Sequence, residues 1–170
     1  MKWSLILFLA LGVSWVGSAV DEAQCGHRFG GGLHYLRTVG DIKDEPEWDP
    51  DAIGILASYQ FSPPLLLTLE FDVEWLPNYG GTDESMIEPQ AWVLIGGFLY
   101  GGGGIGIGYI NSDWQENPFY ALRAGVNLVL LSLNLDVFAT YRFQSTGELE
   151  DFGTKDLDTI TLGAVVRFGK

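Results

Sequence analysis

Alternation of apolar and polar residues is the feature that most restricts the fold of this chain. In the segment 65–75, "LLLTLEFDVEW", apolar side chains occupy every second position from Leu65 to Trp75. From Thr68 onward, the intervening positions are polar or acidic. Segments 131–143 and 159–168 repeat the pattern. Successive side chains of a strand point to opposite faces, so a period of two predicts β-strands.

Weaker alternation predicts five further strands, at 29–39, 52–61, 92–98, 101–110 and 119–128. The connections between the eight segments alternate in length. The short ones are 62–64, 99–100 and 129–130, and the longer ones are 40–51, 77–89, 111–118 and 144–156. Alternate connections of an up-and-down meander lie at opposite ends. The sequence therefore predicts an all-β fold over residues 28–170, an eight-stranded antiparallel up-and-down barrel with short turns at one end and long loops at the other.

The N-terminus has the pattern of an export signal. Residues 1–19, "MKWSLILFLALGVSWVGSA", consist of one lysine, an apolar run and a small-residue cleavage site, which is typical of a secretory signal peptide. Residues 20–27 are then a short N-terminal segment. It contains Cys25, which is the only cysteine and so cannot form an internal disulfide.

The charge of the chain is strongly acidic and unevenly distributed. The formal net charge is −13, and most of the 22 acidic residues fall in the four longer connections. A nucleic-acid partner is excluded, because phosphate binding needs clustered Lys and Arg. The segment 49–54, "DPDAIG", lacks the spacing of an EF-hand loop. The acids are therefore interpreted as a solvated surface, with no metal-binding or cofactor-binding residues.

Two kinds of barrel have this alternation. A soluble ligand-binding barrel of the lipocalin kind has its apolar face inside, whereas a membrane barrel has it outside. The polar face here is too highly charged to enclose an apolar ligand. The expected inward charges, which would form an ion network, are Glu70, Asp72, Glu74, Arg123, Asp136, Arg142 and Arg167.

The apolar face also favours a membrane barrel. Strands of about ten residues match the length that a bilayer requires. Aromatic residues gather near the strand ends, as in the interfacial girdles of membrane proteins. The predicted girdles are Phe29, Phe61, Phe98 and Phe168 at the short-turn end, and Trp75, Trp92, Tyr109 and Tyr141 at the long-loop end.

Three stretches resemble a known family. They are "GGGLHYL" at 30–36, "GGGGIGIGY" at 101–109 and "LGAVVRF" at 162–168. Over residues 25–170 the chain resembles the small eight-stranded bacterial outer-membrane barrels of the OmpA/OmpX type. The resemblance implies a bacterial outer-membrane location, with outer-membrane lipid and the outer-membrane assembly machinery as partners. A monomer is expected, and the resemblance implies no specific activity.

The glycine run contains the spacing G-x-G-x-x-G at 101–106. A dinucleotide-binding turn of this kind must open a helix, but here a strand and a polar loop follow. Ile105, Ile107 and Tyr109 are instead expected to face lipid. Their neighbours would face a narrow interior and leave room for Arg123, Phe138 and Arg142. These inward glycines are Gly102, Gly104, Gly106 and Gly108.

Catalysis has little support in the sequence. His34 is expected to point inward, where Ser58 of the next strand could approach it, but there is no G-x-S-x-G spacing. The chain is therefore predicted not to be an enzyme and to have a structural, surface-interaction or weak porin-like role. A lipid-modifying enzyme and a soluble ligand-binding barrel remain as alternatives. A turn at 129–130 would also place Arg123 directly opposite Asp136, which predicts an ion pair.

Overall fold

The computed structural model describes residues 26–44, 48–63, 66–130, 133–144 and 156–169. The predicted signal peptide, Cys25 and several loop acids lie outside these ranges. The strands are β1 (Gly26–Thr38), β2 (Asp51–Ser62), β3 (Leu67–Leu76), β4 (Met86–Gly96), β5 (Leu99–Gly106), β6 (Tyr109–Ile110), β7 (Asp113–Trp114), β8 (Phe119–Leu130), β9 (Leu133–Phe143) and β10 (Thr159–Gly169).

Eight of these strands close into a barrel, which confirms the predicted fold class. Each long strand pairs antiparallel with its neighbours in the chain, and β5 pairs with β8 across the long connection that contains β6 and β7. The barrel closes where β1 pairs with β10, with Phe29 opposite Phe168 and Thr38 opposite Thr159. Closure leaves no unpaired sheet edge along the wall.

The two ends of the barrel differ as the connection lengths predict. Strands β2 and β3, β4 and β5, and β8 and β9 are joined by short turns at one end. Gly96 is the last residue of β4, next to one of these turns, and its φ of 130° favours glycine. The long connections lie at the other end and include the 3-10 helices Asp41–Asp44 and Tyr79–Gly81.

Apolar residues from strands and loops close the long-loop end. Ile42 and Tyr79 of the two 3-10 helices and Leu157 of the last loop pack on inward-facing strand residues. The strand residues are Leu36, Leu76 and Met86. We call these six residues the loop cap. Among the described residues, no helix is long and apolar enough to cross a membrane.

Burial is reversed relative to a water-soluble protein. The side chains of Glu70, Asp136 and Arg167 point inward and are fully buried. The apolar side chains that alternate with them are outside, where Phe29 is 62% exposed and Leu162 57% exposed. The wall therefore presents an apolar surface to its surroundings and encloses a charged core.

Candidate functional site: the charged barrel interior

The middle of the interior contains a cluster of five charged side chains, which we call the central cluster. The Arg123 guanidinium binds Asp72 at 2.9 Å and also binds Glu70. The Arg167 guanidinium binds Glu70 at 2.9 Å and also binds Asp136. These contacts connect β3, β8, β9 and β10 across the barrel, so the cluster ties together strands that are far apart in the sequence.

Neutral polar groups complete the central cluster. Tyr100 donates a hydrogen bond to Asp136 at 2.8 Å, and Gln60 donates to Glu70. Arg167 donates to the Ser58 hydroxyl at 3.1 Å. Buried charges are costly unless they are paired and hydrogen-bonded. Each charge of the central cluster has at least one charged partner, and the cluster draws its members and hydrogen-bond partners from six strands, although Oδ1 of Asp72 has no hydrogen-bond partner among the described residues.

A second cluster lies nearer the long loops, and we call it the upper cluster. The Arg142 guanidinium binds both Glu74 and Glu88, and Nδ1 of His34 lies 3.2 Å from Oε1 of Glu74. All four side chains are buried. Sequence reasoning missed Glu88 because it treated 77–89 as a loop. The signal was the spacing of Glu88 and Gln90, which continues the inward positions of β4.

Aromatic rings pack on two of the guanidinium groups. Cζ of Arg123 lies 3.8 Å from the Trp92 ring centroid and 4.3 Å from that of Phe138. Cζ of Arg142 lies 4.8 Å from the Phe119 ring centroid. A cation over an aromatic face is attracted by the ring quadrupole, most strongly when both are desolvated.

The inward glycines make room for these rings. A Cβ at Gly104 would overlap the Trp92 ring, and a Cβ at Gly106 would overlap Phe119. At Gly102 a Cβ would meet the backbone of β4, and at Gly108 it would meet Gln115 and Met86. The glycine run therefore accommodates the aromatic residues that stack on Arg123 and Arg142.

Comparison with solved structures identifies the fold. Neisserial surface protein A (NspA) superposes with a TM-score of 0.63 at 14% identity, over 84% of this chain and 96% of that one. Ail of Yersinia pestis superposes with a TM-score of 0.51 at 15% identity, over 85% of this chain and 99% of Ail. OprG of Pseudomonas aeruginosa superposes with a TM-score of 0.50 at 12% identity, over 88% of this chain and 98% of OprG. The fold is that of the small eight-stranded outer-membrane β-barrels.

No family model matches the sequence, and no curated protein matches it either. The likeness shown by the solved structures is one of barrel architecture. Within this outer-membrane barrel fold, the described part of the chain contains no group of three or more His, Cys, Asp or Glu side chains that could hold a metal ion.

The prediction that Trp92 belongs to the outer girdle is wrong. Trp92 is 2% exposed and lies inside the barrel, opposite Glu70 on β3 and Gly104 on β5. The segment 92–95, "WVLI", is apolar on both faces, so alternation could not decide which residues face inward. Glu88 and Gln90 precede Trp92 at the same spacing, and their need for polar partners directs this set of side chains into the interior.

The predicted pairing of Arg123 with Asp136 is also wrong. Leu130 pairs with Leu133 at the end of the β8–β9 hairpin, so Arg123 faces Thr140 and Asp136 faces Asn127. The cross-strand register of the described strands is therefore shifted by four residues from the predicted one. Both charged side chains still point inward, but each binds a partner from another strand.

The other predicted girdle residues lie on the outside of the barrel fold, except Phe98, which lies in the β4–β5 turn and lines a cavity at the short-turn end. Phe29, Phe98, Phe168 and Trp75 are 62%, 54%, 59% and 42% exposed. Phe61, Tyr109 and Tyr141 are partly exposed. At the long-loop end, Tyr141 donates a hydrogen bond to Asp158 at 2.7 Å.

His34 and Ser58 do not form a catalytic pair. Ser58 lies opposite Gly30 on β1, whereas His34 lies opposite Gly54 on β2. Ser58 accepts hydrogen bonds from Arg167, and His34 is 2% exposed beside Glu74. The register thus separates the two side chains by four residues along the strands.

Proposed function

We propose that this protein is an integral outer-membrane protein of a bacterium, with its barrel in the membrane and its acidic loops outside the cell. The observation that carries the proposal is the reversed burial of the wall. Apolar side chains such as Phe29, Ile53 and Leu162 are 57–65% exposed, while the charged side chains are inside.

Energetics favour a lipid environment for this wall. Removal of apolar surface from water stabilises by about 25 cal/mol per Å², and soluble monomers rarely expose large continuous apolar patches. A soluble ligand-binding barrel would expose this whole belt to water and enclose charge instead of an apolar cavity. The export signal predicted at residues 1–19 agrees with passage out of the cytoplasm.

We also propose that the barrel is closed to solutes and acts through its structure and surface. The central and upper clusters fill successive layers, and the loop cap lies above them. An eight-stranded barrel is just wide enough for side chains to fill. The role that fits is envelope integrity or surface contact through the acidic loops. The barrel would be surrounded by membrane lipid and would bind the outer-membrane assembly machinery during insertion. It would function as a monomer.

Cell fractionation and labelling test the location. We expect the protein to sediment with the outer membrane and to migrate faster on gels before boiling than after. A spin label at Val137, which faces outward, should respond to a lipid-phase relaxation agent, while a label at exposed Asp113 should respond to a water-soluble one. Recovery of most of the protein in a soluble periplasmic extract would contradict the proposal.

Planar-bilayer recordings test the closed interior. We expect no steady conductance from the purified protein. A stable open channel with wild-type ion pairs would favour the porin-like role instead. Hydrolysis or acyl transfer on purified membrane lipids, lost on His34→Ala substitution, would favour the lipid-modifying enzyme.

A further inference from the structure

The short-turn end of the barrel contains a cavity that the ion clusters do not fill. It has a volume of about 410 Å³, and we call it the vestibule. Its lining includes Arg28, Gln60, Thr68, Leu94, Phe98 and Val129. This volume lies within the range of small-molecule sites, about 300–1,000 Å³.

One wall of the vestibule is polar and carries a guanidinium group. Arg28 of β1 and Gln60 of β2 are cross-strand neighbours, and Thr68 of β3 hydrogen-bonds with Ser62 nearer the turn. Nη2 of Arg28 lies 3.4 Å from Oγ of Ser62. No carboxylate within the described ranges lies at ion-pair distance from Arg28, in contrast to Arg123, Arg142 and Arg167. Arg28 therefore has hydrogen-bond donors available to a ligand.

The facing wall is apolar. Leu94 at the end of β4, Phe98 in the following turn and Val129 at the end of β8 line it. Asn127 of β8 adds a buried side-chain oxygen that has no hydrogen-bond partner among the described residues. The vestibule thus offers a cation on one side and an apolar surface on the other.

The acids deeper in the barrel have arginine partners of their own, and none of them forms an ion pair with Arg28. Glu70 is bound by Arg123 and Arg167, and Asp136 is bound by Arg167 and Tyr100. Tyr100 lines the vestibule and donates to Asp136, so this hydrogen bond marks its inner boundary. A ligand carboxylate at Arg28 would therefore have Glu70 and Asp136 as neighbours that are already paired with Arg167.

We propose that the vestibule binds small amphiphilic carboxylates. The carboxylate binds the Arg28 guanidinium, and the apolar body packs against Leu94, Phe98 and Val129. This assignment rests on the chemistry of the vestibule alone and holds whether or not the barrel conducts. Charged hydrogen bonds between a guanidinium and a carboxylate are among the strongest in proteins.

Benzoate is the probe that tests this proposal. The full-length mature protein, folded in detergent, is titrated while NMR follows the Leu94 methyl groups and the Asn127 side-chain amide. We expect saturable shifts at both residues. Arg28→Gln should weaken benzoate binding at least about tenfold, since a charged hydrogen bond contributes about 1.5–3 kcal/mol. Arg37→Gln is the matched control, because Arg37 is exposed at the opposite end beside Asp51.

Two further ligands separate the parts of the proposal. Benzyl alcohol has the apolar body without the charge, and acetate has the charge without the body, so both should bind at least tenfold more weakly than benzoate. Equal shifts with benzyl alcohol would show partition into detergent and overturn the proposal. Equal binding of acetate or phosphate would show a general anion site and overturn the amphiphilic assignment.

A second variant protects the test against a folding defect in Arg28→Gln. Val129 is 72% exposed and lines the vestibule, so Val129→Trp should fold and occupy the apolar wall. Heat-modifiable gel mobility checks that each variant is folded. We expect Val129→Trp to abolish the benzoate shift at Leu94 with Arg28 intact, and wild-type binding by this variant would overturn the proposal.

Discussion

The Arg123 guanidinium lies over the Trp92 ring, with Cζ 3.8 Å from the ring centroid. Two carboxylates, Glu70 and Asp72, bind the same guanidinium. Gly104 on the next strand gives the indole its space. In this part of the interior, a glycine leaves space for an aromatic ring, the ring packs on an arginine, and the arginine binds carboxylates. Each of these residues can be substituted separately.

Arg123 and Asp72 should be energetically coupled. Removal of one partner of a buried pair leaves an unpaired charge, so Arg123→Ala should lower the free energy of unfolding by about 3–5 kcal/mol. In a double-mutant cycle with Asp72→Asn, we expect a coupling of about 0.5–3 kcal/mol, measured by urea unfolding in detergent. The parallel cycle with Asp136→Asn should give a smaller coupling, because Arg167 binds Asp136. Strict additivity for Arg123 and Asp72 would contradict the contact.

Trp92 should behave as an interior residue, unlike Trp75. In variants that keep only one tryptophan, brominated lipids should quench the fluorescence of Trp75, which is 42% exposed, and leave Trp92 largely unaffected. Trp92→Ala should also lower the free energy of unfolding by about 3–5 kcal/mol through the cavity it creates. Strong quenching of Trp92 by brominated lipid would show that Trp92 faces outward, and it would contradict the inward position of this residue on β4.

Neighbouring glycines of the run should respond differently to the same change. A methyl group at Gly104 would overlap the Trp92 ring, so Gly104→Ala should lower the free energy of unfolding by about 1–3 kcal/mol. Gly103 is the matched control, because a Cβ there would have ordinary contacts, the nearest with the Ala121 carbonyl oxygen at 3.7 Å. Trp92→Leu should recover part of the Gly104→Ala loss. Equal loss at Gly103 and Gly104, measured by urea unfolding, would attribute the effect to the strand backbone.

The loop cap should open without loss of the barrel. Tyr79 is buried and packs edge-on against Trp48, with ring centroids 5.4 Å apart. Burial is the main cause that raises the pKa of Tyr79, and the nearby Glu88 carboxylate raises it further. The phenol therefore stays uncharged. Tyr79→Ala should speed proteolysis of the long loops while heat-modifiable mobility remains. Tyr120→Ala, at an outward position that is 60% exposed, is the control. Unchanged loop cleavage in Tyr79→Ala would show that the cap does not depend on this residue.

Alternation in the sequence predicts eight strands and most of their faces, but it misses the first six residues of β4, which begins at Met86 and not at 92. A period of two separates inward from outward side chains without reference to any partner, so Glu70, Arg123 and Asp136 were all placed on the correct side. Connection lengths predicted the two unlike ends. Where alternation is absent, as at 92–95, the face was not determined locally, and Trp92 was placed on the wrong one.

The partners of the charged side chains depend on the tertiary structure. A register shift of four positions changes every cross-strand partner in the β8–β9 hairpin, yet it leaves the inward and outward sets unchanged. Alternation cannot detect such a shift. Barrel closure brings β3 opposite β8 and β10, so that Glu70 meets Arg123 and Arg167 across the interior. The sequence determined which residues are inside wherever polar and apolar residues alternate, because the two faces of a strand are a local property. The strand registers and the closure of β1 on β10 decided which inward residues meet, because contact across a barrel is not a local property.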